Sequence, residues 1–144
     1  MRFTVVGIPV PQGSMKAFTR RGGGRPIMTS DNARTRPWKD AVVWAAADAL
    51  AEATIRGPVE VALTFRFGRP KSHHGKRGLL PSAPRLPSVR PDLDKLVRAI
   101  LDALVEASVM ADDAQVVTLS ATKDYAADWE HPGVDVSVLF RGAR

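Results

Sequence analysis

Asp92 and Asp94 stand two residues apart immediately after Pro91, and a second acidic pair, Asp112 and Asp113, follows further along the chain. Within a helix, positions two apart do not share a face, so Asp92 and Asp94 converge only where a helix begins. Pro91 supplies such a beginning: it holds Arg90 in extended geometry and leaves Asp92 at or near the N-cap, with Asp94 in the first turn. Both carboxylates then project beyond the helix end. Asp112 and Asp113 fall in a turn just ahead of a strand, and that strand, returning alongside the helix, is expected to bring a third carboxylate to the pair. Oxygen ligands of this kind, with no His or Cys beside them, suit Mg²⁺ or Mn²⁺ and not zinc. The same residues also have a purely structural use. Asp is favoured at N-caps, in first helical turns and in tight turns, and Asp94 with Arg98 makes an ordinary i, i+4 surface pair.

The charge around the acids bears on which use applies. The chain has 144 residues with 21 Lys or Arg against 15 Asp or Glu, a formal charge of +6 and an isoelectric point near 10.3. Seven bases lie between Lys16 and Lys39 against Asp31 alone, and nine lie between Arg66 and Arg98 against Asp92 and Asp94. Two segments thus hold 16 of the 21 bases, and the remainder of the chain is acidic. Segregated bases make a surface for a polyanion, because each neutralised phosphate releases counterions. Carboxylates repel phosphate unless a divalent cation lies between them. Acids flanked by such a surface therefore have the arrangement of a metal-dependent phosphodiesterase, in which one ion readies water and another steadies the leaving oxygen. Lys16, Arg20, Arg21, Lys76, Arg77 and Arg85 are the expected phosphate contacts.

Periodicity indicates the elements that must position these groups. Phe3 to Ile8, closed by Gly7, Pro9 and Pro11, reads as a first strand. Lys16 to Arg34 reads as irregular, and the Gly-rich run from Arg21 to Arg25 lacks the spacing of a P-loop and is taken as a flexible turn. Thr35 with Pro37 starts a helix that Trp38, Val42, Ala45 and Ala49 carry to about Ala53. Val59, Val61, Leu63, Phe65 and Phe67 alternate with more polar residues, the mark of a strand with one buried face. From Gly68 to Pro91 there are five prolines, three glycines, six bases and no acid, which predicts a long basic loop, mobile until it meets its ligand. His73 and His74 in that loop are read as solvated and not as a metal pair. Leu93, Leu96, Val97, Ile100, Leu101, Leu104 and Val105 describe an amphipathic helix over about 92–107. Val116 to Thr122 and Val134 to Phe140 complete the set as strands. The order βαβαββ predicts an α/β (α+β) fold, a small mixed sheet with two helices, in a single domain over 1–144. An Ala-rich first helix and the open edges of so small a sheet are expected to require a symmetry mate. The absence of Cys excludes thiolate nucleophiles, disulfides and zinc sites built on Cys. No stretch reads as a secretion signal or a membrane span, so a cytoplasmic protein without membrane contact is expected.

The run RPDLDKLVRAILDAL, followed by ADDAQVV and then Lys123, resembles the RusA family of Holliday-junction resolvases, whose signature reads approximately PDLDNLxKxxxDAL…DDxQV…K. The opening GIPVPQGSMK is similar to the family's early Pro-rich strand exit, and the likeness covers most of the chain outside the two basic loops. The resemblance implies a RusA-like fold with metal-binding catalytic carboxylates at Asp92, Asp94 and Asp113. It also implies Mg²⁺ dependence, with Mn²⁺ as substitute, no small-molecule cofactor, a homodimer, and paired nicks across a four-way DNA junction in recombination and repair. The setting would be the cytoplasm of a bacterium or of a phage's host. Lys123 matches the family's final Lys and joins the expected DNA contacts. Where the family has its catalytic Lys this chain has Arg98, and Lys95 replaces the Asn after the second Asp. Arg keeps the positive charge that steadies a phosphorane-like transition state but does not give up a proton, so Arg98 is expected to act through charge. Asp102 is read either as a partner for Arg98 or as a group behind the ligands, Asp112 as an outer ligand or a turn acid, and Gln115 as orienting a metal-bound water. The alternative is a non-catalytic protein that binds branched or duplex DNA and uses the acids only as helix caps.

Overall fold

The computed structural model describes residues 1–13, 15–18, 22–25, 27–30, 33–51 and 53–142, with the main chain alone at 15–18 and 27–30. In chain order the strands are β1 (Arg2–Val6), β2 (Met15–Phe18), β3 (Ile27–Ser30), β4 (Val59–Phe67), β5 (His74–Gly75), β6 (Gly78–Leu79), β7 (Val116–Tyr125) and β8 (Gly133–Phe140), with helices α1 (Thr35–Ala49) and α2 (Leu93–Glu106). The main sheet has the order β1-β8-β4-β7. β8 runs antiparallel to both β1 and β4, whereas β7 runs parallel to β4. A mixed sheet with two helices results, and its strands and helices follow the expected βαβαββ order.

The period-2 pattern of β4 has its physical consequence in the core. Val59, Val61, Leu63 and Phe65 are buried, as are Val134, Val136 and Val138 opposite them on β8, and α1 (Trp38, Val42, Ala46) and α2 (Leu96, Ile100, Ala103, Leu104) pack on this one face. Gly133 is needed where β8 meets β1, because a Cβ there would collide with the Val5 carbonyl. On the opposite, polar face, Asp135 accepts a 2.7 Å hydrogen bond from Thr4 Oγ1 and pairs with Arg66, tying β1, β8 and β4 together. Partial burial pushes the Asp135 carboxyl up, but its hydrogen bonds to Arg66 and Thr4 and the Arg66 charge outweigh this and hold it below its ordinary 3.8.

Two segments differ from the expectation of irregular chain. Overlapping Lys16 to Arg34 is the antiparallel ribbon β2–β3, with Met15 opposite Ser30 and Phe18 opposite Ile27. Within Gly68 to Pro91 lie a 3-10 turn over Lys71–His73 and the small ribbon β5–β6, closed by a 2.9 Å hydrogen bond from the Leu80 amide to the His73 carbonyl. Strands of two to four residues are too short to repeat a period-2 pattern, so the ribbons leave no periodicity to read. α1 also ends at Ala49, short of the expected Ala53, and β7 continues to Tyr125, past the expected Thr122.

α2 stops in a Schellman motif: the Ser108 amide bonds the Val105 carbonyl at 2.9 Å and the Val109 amide bonds the Leu104 carbonyl at 3.0 Å. Ser108 takes φ 58, a left-handed conformation normally given to Gly, and Val109 and Met110 are buried directly after it. Replacing Ser108→Gly is expected to raise stability by about 1 kcal/mol, a gain of a few degrees in Tm by calorimetry. The Asp135 carboxylate is half exposed, so its network contributes less than about 1 kcal/mol. Because its folded-state pKa is depressed, that contribution is complete above 3.8 and is lost as pH falls through the folded value. Urea unfolding should show Asp135→Asn weaker than wild type at neutral pH and equal to it well below 3.8.

Candidate active site

Asp92 is the N-cap of α2 by backbone, with φ −70 and ψ 135, and its carbonyl accepts from the Leu96 amide at 3.1 Å. Its side chain makes no capping hydrogen bond; the carboxylate faces Lys95 Nζ at 3.4 Å. Asp94 lies exposed in the first turn, and Arg98, exposed one turn further on the same face, does not pair with it. Neither Asp94 nor Arg98 has a hydrogen bond or ion pair among the described residues. The helix N-terminus favours both carboxylates electrostatically, yet capping engages neither.

Three contacts hold this helix start. Lys123 on β7 donates from Nζ to the Val89 carbonyl at 2.6 Å and to the Pro91 carbonyl at 2.9 Å, one residue ahead of Asp92. Two residues on and on the same face of the strand, Tyr125 carries the other end of the basic segment. The Arg69 guanidinium sits 4.2 Å from the centre of its ring and the His73 ring meets it edge-on at 5.5 Å. Finally, the Gln12 amide donates to the Lys95 carbonyl at 3.0 Å, laying the Pro-rich exit of β1 across the first turn of α2. Gln12 Oε1 is enclosed there without a partner among the described residues. Residues 68–91 are thus fastened at both ends to alternate positions of one strand. Sequence reasoning missed Tyr125 and Gln12; the continuing alternation of Lys123 and Tyr125 past Thr122 was the available signal.

The second acidic pair divides. Asp112 caps the short 3-10 turn Asp113–Gln115, accepting from the Ala114 amide at 2.7 Å, which makes it a turn acid. Gln115 Oε1 accepts from the amides of Ala111 and Asp112, and its Nε2 donates to the carbonyls of Ile55 and Gly57. With both ends of that amide engaged, Gln115 pins the turn and has no group left to orient a water. Asp113 is exposed with no partner among the described residues, in a cavity shared with Lys39, Asp102, Val105 and Glu106. Glu106 is held by Arg36 at 2.7 Å and Lys39 at 3.3 Å. Asp102 does not pair with Arg98 but lines this same cavity.

β7 does return beside α2, but in the opposite direction. Its Lys123 end adjoins Pro91 while Asp113 adjoins the last turns of the helix, and the 14 residues of α2 separate the two by about 20 Å. Among the described residues no three His, Asp or Glu side chains are placed to share an ion. Asp92 and Asp94 fit a hard divalent cation as a pair of oxygen donors, whereas the expected third ligand, Asp113, does not reach them within one chain. Of the expected phosphate contacts, Lys76 and Arg77 are exposed at the tip of the β5–β6 ribbon and Arg85 is exposed beyond it. Lys16 lies on β2, where only the main chain is described, and Arg20 and Arg21 lie outside the described residues. Lys123, also expected to touch DNA, donates from Nζ to the Val89 and Pro91 carbonyls.

A family model described as endodeoxyribonuclease RusA matches residues 7–138, a span that contains both acidic pairs, α2 and β7. The chain belongs to the RusA endodeoxyribonuclease family. The uncharacterized protein YqaN of Bacillus subtilis (strain 168) is 32% identical over 146 aligned positions, which cover 96% of this chain and 94% of that protein. Within the RusA frame, the Lys123 contacts are a strut for the strand-to-helix entry. Lys123→Met should leave β4 amides unchanged and raise hydrogen exchange across 86–92 by an order of magnitude or more, read by mass spectrometry.

Proposed function

We propose that this protein is a divalent-metal-dependent endonuclease that resolves four-way DNA junctions by paired nicks, in the recombination and repair of a bacterium or of a phage in its host's cytoplasm. One observation carries the reading: in a chain of a nuclease family, two adjacent carboxylates stand at a helix start that neither of them caps. A protein that only bound DNA would gain nothing from leaving them so, since uncapped carboxylates repel phosphate.

Asp92 and Asp94 would hold the cation, which when bound supplies Lewis acidity at the scissile phosphate and a readied water. Arg98 lies one turn along the same exposed face and directs an unpaired guanidinium toward the charge that gathers on the phosphoryl oxygens. Lys95, 3.4 Å from Asp92, restrains that carboxylate. Lys76, Arg77 and Arg85 grip the backbone of the DNA without reading its bases. A four-way junction has near two-fold symmetry, so a two-fold dimer with equivalent sites can cut two strands of like polarity in one encounter.

Cleavage of a synthetic four-way junction with and without Mg²⁺ tests this directly. Asp94→Asn should lower cleavage by orders of magnitude while junction affinity in EDTA stays equal or rises. Arg98→Ala should behave likewise, and Arg98→Lys should keep substantial activity because Lys preserves the charge. Lys76→Ala or Arg77→Ala should weaken binding and reduce the slope of log K against log salt by about one, with cleavage retained at saturating protein. Wild-type cleavage rates in Asp94→Asn would show that the acids serve the fold and not the chemistry.

A further inference from the structure

Trp129 is the most exposed large apolar side chain among the described residues, 86% open to solvent, and the turn from β7 to β8 is built to hold it there. Where the turn leaves β7, the Ala126 amide donates to the Phe67 carbonyl at 2.8 Å; where it enters β8, the Gly7 amide donates to the Pro132 carbonyl at 2.9 Å. Between these ties the Glu130 amide donates to the Ala127 carbonyl, and the Glu130 carboxylate accepts from the Ala127 amide at 3.0 Å. A turn closed in this way fixes the backbone under Trp129 and leaves its indole in solvent.

Trp129 lines a groove of about 300 Å³ together with His74 and Leu79 of the β5–β6 ribbon, Asp128, and Tyr125 with the Arg69 guanidinium 4.2 Å from its ring centre. The volume is at the bottom of the roughly 300–1,000 Å³ range of small-molecule sites, room for one flat ring system and not for a duplex. Aromatic rings and a stacked guanidinium in so small a space make a stacking platform, the device by which proteins hold unpaired bases whatever their sequence. Charge decides between a base and a phosphate as the occupant. Asp128 is the one acid of the lining and would repel a phosphate, whereas the exocyclic amino group of a base suits a carboxylate acceptor. Lys76 and Arg77, exposed at the tip of the same ribbon, are placed for the phosphates that flank such a base.

The groove also lies beside the carboxylates. Tyr125 is shared with a second cavity lined by Val89, Pro91 and Lys123, so one side chain borders both the groove and the chain that enters α2 at Asp92. A DNA strand passing Asp92 and Asp94 is thereby within reach of the groove. Unstacking a base costs least where pairing is already interrupted, as at a branch point. We propose that this groove takes one unstacked base next to the branch point, held on Trp129, and that Trp129 thereby selects branched DNA over intact duplex. The proposal rests on the branched-DNA nuclease reading for its substrate, but it is tested by binding in EDTA, which needs no cleavage.

The probes are a four-way junction, a duplex with one unpaired thymine, and an intact duplex of equal length. Trp129→Ala should lower affinity for the first two about tenfold, the loss of one base stack, and leave the intact duplex unchanged. Trp129→Phe should keep most of the affinity, since the smaller ring still stacks, and Lys76→Ala should weaken all three complexes alike. The side chain is exposed, so Tm should not move in Trp129→Ala. With 5-iododeoxyuridine as the unpaired base, irradiation should cross-link it to Trp129, as read by mass spectrometry of the peptides; a cross-link confined to other parts of the chain overturns the proposal. Unchanged affinity of Trp129→Ala for all three DNAs, the outcome if the groove serves a protein instead, also overturns it. So does an equal loss on all three, which makes Trp129 a general DNA contact. A wild type that distinguishes the bulged duplex through Trp129 yet cuts no junction in Mg²⁺ removes the nuclease reading and leaves the base site standing.

Discussion

The parallel pairing of β4 with β7 is the constraint from which the placement of the functional groups follows. Two parallel strands cannot be joined by a tight turn, so the chain must travel back along the sheet between them. Here α2 makes that return, and it therefore runs opposite to both strands. Whatever stands at the start of α2 lies at the C-terminal ends of β4 and β7, and whatever follows α2 lies at their N-terminal ends. Asp92 and Asp94 belong to the first group, Asp113 to the second. No choice of rotamer closes a gap of about 20 Å, so the separation of the acids belongs to the topology and not to their side chains.

The same arrangement explains why so much rests on β7. Its inward edge completes the parallel pair, and two alternate side chains near its end, Lys123 and Tyr125, secure both ends of the basic segment from Gly68 to Pro91. Only Pro87 of that segment is buried, so its position derives from these few polar and aromatic contacts more than from a core of its own. The exposed ribbon carrying Lys76 and Arg77 is consequently attached to the strand that also sets the entry to α2, and the groups proposed to hold phosphate share a scaffold with those proposed to cut it.

The parts of this molecule that were legible in its sequence are those in which burial repeats with a period. Alternation gave β4, the 3.6-residue stripe from Leu93 to Val105 gave α2, and Pro91 gave the helix start with Asp92 and Asp94 side by side. The ribbons β2–β3 and β5–β6 leave no such mark, because strands of two to four residues are too short to repeat a period-2 pattern. The sequence indicates a strand returning alongside the helix, but the end of the helix at which Asp113 falls within one chain depends on the parallel register of that strand with β4, a contact between segments far apart in the chain. Gln115 carries no local mark of its four hydrogen bonds, two of which reach back to carbonyls at Ile55 and Gly57.

The electrostatics of α2 gives the divided acids a physical rationale. Carboxylates at its N-terminus are favoured by the helix dipole, whereas those in and beyond its last turns face the negative end and repel one another. α1 relieves part of this: the hydrogen bond from Arg36 holds the Glu106 carboxyl below its ordinary range, and Lys39 adds to it. Asp102 and Asp113 have no such ion pair among the described residues.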